Sequence, residues 1–166
     1  EIHARILPFN KKASDGSVFP KEVILKYLDS EQCRFRLTTK TCLGGITHIN
    51  RDPSKVPSNL IAVVDQFLLT KSITHYVSEF YIDHVDGWLC GVLKFFDPSL
   101  FEGTPTAEDI KFVTGLIKAG VALPVSAAVF AKWNGNICVE LLDLTGVDIT
   151  LSPGFEGAGL LLNKRI

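Results

Sequence analysis

The chain contains no methionine, no C-x-x-C pair, no excess of charge of either sign and no apolar run approaching a membrane span. Each absence removes a class of function. Without roughly 20 consecutive apolar residues, no bilayer-crossing helix is expected. With 17 Lys and Arg against 18 Asp and Glu, there is no broad cationic field for a phosphate backbone, so nucleic acid is not expected as a main partner. Cys33, Cys42, Cys90 and Cys138 sit among apolar neighbours, as in "WLCGVL" and "NICVELL", and read as reduced, buried thiols of a cytosolic protein. "EIHARILPFNKK" lacks the apolar stretch of a signal peptide, and the missing initiator leads us to expect a trimmed or processed N-terminus. There is no G-x-S-x-G elbow and no glycine-rich phosphate loop ending in lysine, which removes the usual hydrolase and nucleotide-binding signatures. His3, His48, His75 and His84 show neither helical i, i+4 spacing nor clustering with cysteine, so no metal and no other cofactor is expected.

What is present is a well-formed folding pattern. The 166 residues, 46% of them hydrophobic, suit a single domain over residues 1–166 with one substantial core. "IHARILPF" alternates like a strand, "KKASDGSVFP" is a loop turning at Asp15-Gly16, and "KEVILKYLDSEQ" has helical spacing behind Pro20. "CRFRLTTKTCL" alternates and predicts a strand, followed by a long polar loop, "GGITHINRDPSKVPSN". "LIAVVDQFLLT", "SITHYVSEFYID" and "WLCGVLKFFD" predict three strands, the last two joined at Asp86-Gly87. "TPTAEDIKFVTGLIKAG" is an amphipathic helix with a capping box at Thr106 and Asp109, and Gly120 suits its left-handed end. "ALPVSAAVFAKW", "NICVELLDL" and "GVDITL" predict three further strands, with a turn at Asn134-Gly135, before the glycine-rich tail "SPGFEGAGLLL". The expected class is α+β: a mainly antiparallel barrel or sandwich of about seven or eight strands with flanking helices.

Within that frame Ser126 is a lone hydroxyl among Val125, Ala127, Ala128 and Val129. It reads either as a small residue on a packed strand or as a nucleophile. His48, carried on a polar loop, is the best-placed general base. His75 reads as a satisfied strand histidine, and His3 and His84 as solvated. Glu140, Asp143 and Asp148 are the candidate orienting acids. Asp148 lies inside a strand between Val147 and Ile149, where an unpaired carboxylate is costly, so a partner is expected.

The order of these features resembles that of the prohead, or capsid maturation, proteases of tailed bacteriophages, which are related to the herpesvirus assemblins. "SDGSVFPKEVILKYL" is similar to an early turn, proline and helix in that family, and "LGGITHIN" to its G-E-x-x-H-P motif. "ITHYVSEFYIDHVDGWLCGVLKFFD" resembles the following strand pair, "LIKAGVALPVSAAVFAK" the helix end and G-I-S-S-R-G segment, and "GVDITLSPGFEGAGL" the D-x-V-x-N-P-S-x-x-G-A segment. The likeness runs from about Ser14 to Leu160 with the order kept. It implies a serine endopeptidase with Ser126 as nucleophile, His48 as base and Asp148 as the third member, His75 having a supporting role. The implied substrates are scaffold and major capsid proteins inside assembling proheads in the host cytoplasm, and the kinship with assemblins admits a homodimer. Two departures bear on activity: Ala127-Ala128-Val129 follow the serine where the family has Ser, Arg and Gly, and Ile49 follows His48 in place of proline. With the arginine missing, Lys132 is the nearest cation. A catalytically inactive, protease-fold head protein is the alternative these departures favour, and an unrelated barrel used as a binding module is a third.

Overall fold

In a computed structural model, residues 1–47, 73–150 and 153–162 are described. The class is α+β, as expected. Among these residues seven strands form one curled sheet in the order β5-β6-β2-β3-β4-β1-β7. They are β1 (Ile2–Pro8), β2 (Leu43–Thr47), β3 (Ile73–Asp83), β4 (Trp88–Phe95), β5 (Val125–Asn134), β6 (Ile137–Thr150) and β7 (Gly159–Leu161). The helices are α1 (Lys21–Leu28), α2 (Glu31–Thr39) and α3 (Pro105–Lys118), with a 3₁₀ turn at Pro98–Phe101. The sheet is mixed rather than purely antiparallel, because β2 runs parallel to β6 while every other pair is antiparallel. It curls into a half-barrel whose end strands touch at a single isolated bridge, Pro124 to Gly159, so the barrel stays open.

The β3–β4 and β5–β6 hairpins follow the turn chemistry of the sequence. Gly87 and Gly135 take positive φ, the conformation their turns require. The second hairpin is longer than expected: "NICVELLDL" and "GVDITL" form one continuous strand, β6, and three register shifts along β5–β6 absorb its curvature. At the centre β2 and β6 approach closely because Gly44 and Gly146 face each other's backbone. A Cβ at either position would fall on a carbonyl oxygen, of Val147 and Leu43 respectively.

The segment "CRFRLTTKTCL" is not a strand. Residues 31–39 form α2, capped by the Ser30 hydroxyl accepting from the Cys33 amide at 3.1 Å and closed by Lys40 in the left-handed conformation. The alternation of Cys33, Phe35 and Leu37 is incidental: Cys33 is buried and Phe35 is 55% exposed, so the pair at i and i+4, Cys33 and Leu37, faces inward. Gly44 to Thr47, expected in a loop, are in β2. In α3 the cap is Thr104, two residues before the predicted one, its hydroxyl accepting from the Ala107 amide, and Gly120 ends the helix at φ +87° as anticipated. Ile110 and Val113 are its buried face. The apolar tail is β7, which pairs with β1. The strand predicted for residues 60–70 lies outside the described residues.

The core is filled by Ile6, Ile24, Leu89, Leu93, Val125 and Leu144, all nearly inaccessible. Tyr27 of α1 is buried with them, its hydroxyl accepting from the Leu144 amide at 3.0 Å, which ties the helix to β6. Arg36 of α2 adds a forked bond to Asp143, at 3.1 and 2.6 Å. No helix among the described residues is long and apolar enough to cross a membrane.

Candidate active site

β5 and β6 bring Ser126 and Asp148 together. The two are direct cross-strand partners, and directly opposed residues of an antiparallel pair project to the same face. Ser126 is half-buried, whereas Asp148 is 4% exposed. A carboxylate in that position must be hydrogen-bonded, and the Gly45 amide of β2 donates to its Oδ1 at 3.1 Å. This bond places the acid between β6 and the strand that leads to the candidate base. β2 ends at Thr47, which pairs with Thr150. The next residue, His48, lies outside the described residues.

His75 occupies the neighbouring position on β3 and is fully buried. Opposite it in the register stands Gly44, and the space above that glycine lets the imidazole reach β6, where Nε2 lies 2.6 Å from the Val147 carbonyl oxygen. A carbonyl only accepts, so Nε2 carries the hydrogen. In the neutral ring Nδ1 then accepts from the Thr74 hydroxyl, at 2.8 Å. With both nitrogens engaged, His75 is suited to holding Val147, and with it the neighbouring Asp148, rather than to moving protons. It is the satisfied strand histidine that the alternation predicts.

The other sequence candidates resolve separately. Asp143 pairs with Arg36, and that bond raises the guanidinium's pKa further. Glu140 pairs with Lys132 at 3.3 Å on the surface, so Lys132 is directed along the sheet and does not stand in for the missing arginine. His84 is exposed in its turn, as expected. His3 is not solvated: it is 5% exposed, with Nδ1 2.6 Å from the Tyr81 hydroxyl across the sheet. The strand pairing of β1, invisible in a terminal "EIHAR", buries it.

A feature that sequence reasoning missed is a cleft of about 170 Å³ beside Ser126. Its walls come from β1 (Ile6 and Leu7), from β5 (Ala127 and Trp133), and from Phe19 and Phe155. Phe19 is the hub, with its ring edge-to-face against Trp133 at 5.3 Å and against Phe155 at 6.0 Å. The loop before Phe19 is pinned where it stands: Val18 exchanges backbone bonds with Asn136 and Cys138, and the Ser14 amide reaches the Gly154 carbonyl. The signal was available only as three aromatics distant in sequence. All four cysteines are buried and none is in a disulfide, and burial pushes the Cys42 thiol up to about 12. Among the described residues no three His, Cys, Asp or Glu gather in a way that could hold a metal. The chain matches no protein-family model, no curated protein and no solved structure.

Proposed function

We propose that this chain is a serine endopeptidase of the capsid-maturation type, with Ser126 as nucleophile, His48 as general base and Asp148 as orienting acid. The observation that carries the reading is the direct opposition of Ser126 and Asp148 across β5–β6, two residues picked from the sequence order alone. In this reading His48 takes the Ser126 proton as Oγ attacks a peptide carbonyl. The protonated imidazole then gives that proton to the leaving amine, and water, deprotonated by the same base, releases the acyl group and restores the serine. Asp148, fixed by Gly45 and held in place through Val147, keeps the imidazole in the useful tautomer. The half-barrel is read as an assemblin-type scaffold. The substrates are phage scaffold and major capsid proteins within the assembling prohead in the host cytoplasm, with a homodimer as the assemblin-like active form.

The alternative is a catalytically silent head protein of the same fold. It is favoured by the surface pairing of Lys132 with Glu140, which leaves Ala127-Ala128-Val129 without a replacement for the family's arginine. A single lost oxyanion donor costs about a hundredfold to a thousandfold in rate, so a slow enzyme is still expected on the first reading. Co-expression with the cognate scaffold and capsid proteins, followed by mass spectrometry, separates the two. Wild type should release defined fragments, and Ser126→Ala should lower the rate by about a thousandfold or more. Scaffold left intact by both proteins sinks the protease reading and leaves the silent one.

A further inference from the structure

The β5–β6 hairpin is apolar on both faces, and the core takes one of them. Cys138, Leu141 and Leu144 of β6 are buried, and Trp133, Ala131 and Val129 stand opposite them on β5. The residues in between carry the other face. Each of the three register shifts adds a residue to β6 and none to β5, so β5 alternates without a break. Phe130 and Lys132 therefore point the same way, and Glu140, directly opposed to Lys132, points with them.

That outer face is exposed and largely apolar. Phe130 is 67% exposed, Val139 52%, Ile137 50% and Leu142 41%. Val139 and Leu142 are themselves two of the extra residues that the shifts place on β6. Single exposed apolar residues need no explanation, but four on one half of one hairpin make a patch of the kind that marks an interaction site. Its charged residues are of opposite sign and lie side by side, with Lys132 Nζ 3.3 Å from Glu140.

We propose that a second copy of the chain docks on this face, about a two-fold axis that runs along the hairpin between β5 and β6. Such an axis sets each β5 over the partner's β6. Lys132 then faces the partner's Glu140, and Glu140 the partner's Lys132, so the ion pair of one protomer grows into a ring of four alternating charges. Phe130 comes over the partner's Leu142 by the same operation. Charge complementarity is what selects this occupant: the face carries both members of the pair in the arrangement that its own two-fold copy needs. A formal net charge of −1 leaves little repulsion between copies. The size of the face sets the strength. Two strands of about five residues span roughly 17 Å, which falls short of the ~800 Å² that each partner buries in a standard interface. A reversible dimer that half-forms at roughly 10–100 μM is expected. The surface is argued without Ser126, and it goes beyond the protease reading by applying equally to a silent head protein.

Sedimentation velocity of the full chain from about 1 to 300 μM makes the test. Wild type should pass from monomer to dimer over this range. Phe130→Asp should stay monomeric, a weakening of about tenfold or more, and the milder Phe130→Ser should shift the same way. Lys132→Glu and Glu140→Lys should each be monomeric alone, because like charges then meet across the axis. Their equimolar mixture should dimerise, since one variant carries only acids at these two positions and the other only bases. Neither variant regains an ion pair within itself, so recovery in the mixture reports the contact between copies. Melting temperatures near that of wild type are expected for these surface changes. Wild type monomeric at every concentration overturns the proposal, as does a dimer indifferent to both Phe130 variants, or folded charge variants whose mixture stays monomeric. Loss of the dimer leaves the protease reading to be decided by scaffold cleavage, and uncleaved scaffold leaves the dimer standing.

Discussion

A methyl group on Gly44 would fall on the Val147 carbonyl oxygen and on the His75 ring, and one on Gly146 would fall on the Leu43 carbonyl. In both cases the obstacle is backbone or a fully buried ring, so nothing cheap can move aside. Gly44→Ala and Gly146→Ala are each expected to cost more than about 4 kcal/mol, the range of severe core lesions. Urea titration followed by circular dichroism should show loss of the cooperative transition, or no soluble protein. Stability equal to wild type would mean that β2 and β6 are not in the parallel contact described. The same two residues explain what could be anticipated of the site. Asp148 could be singled out because a carboxylate between Val147 and Ile149 demands partners. That its partner is the amide of Gly45 could not, because main-chain donors carry no sequence signature.

At the scale of elements, α2 shows how a misleading pattern is overruled. Its side chains alternate, and nothing in Cys33, Phe35 and Leu37 forbids a strand. The deciding groups are Ser30, whose hydroxyl caps the first turn, and Arg36, whose fork reaches Asp143 on β6. Ser30→Ala is expected to cost about 1 kcal/mol, the usual worth of such a cap. For a protein of this size that lowers the melting temperature by roughly 2–4 °C, readable by calorimetry, with Ser30→Asp restoring most of it. No loss in Ser30→Ala would show that the Arg36–Asp143 bond alone holds the helix. The hairpins and α3 were legible because glycine turns and i, i+3, i+4 spacing are local signals. α2, the continuity of β6 and the burial of His3 were not, because each depends on a partner far away in the chain.

For the whole molecule, buried acids that stay protonated set the alkaline limit. Burial raises the Cys33, Cys42 and Cys138 thiols from an ordinary value of 9.0, and the Tyr27 phenol upward from its own. Below the ordinary value folded and unfolded chains hold the same protons. Above it the unfolded chain releases them while the folded chain does not, so unfolding is favoured increasingly as pH rises. Stability should therefore be level near neutrality and fall between pH 9 and about 12, the value to which Cys42 is raised. Each thiol contributes a slope of up to about 1.4 kcal/mol per pH unit. Urea midpoints measured across that window should show the decline, and Cys42→Ala should flatten part of it; a midpoint constant to pH 11 would contradict the burial of these thiols. The parallel pairing of β2 with β6 has a temporal consequence as well. β2 must wait for Gly146–Thr150, about a hundred residues further along the chain, before its second edge is covered. A nascent chain thus carries an open strand edge until that segment has been made. Closing so long a loop makes this pairing a slow step of folding, and places the assembly of Asp148 against β2 after the strands and helices between them have been made.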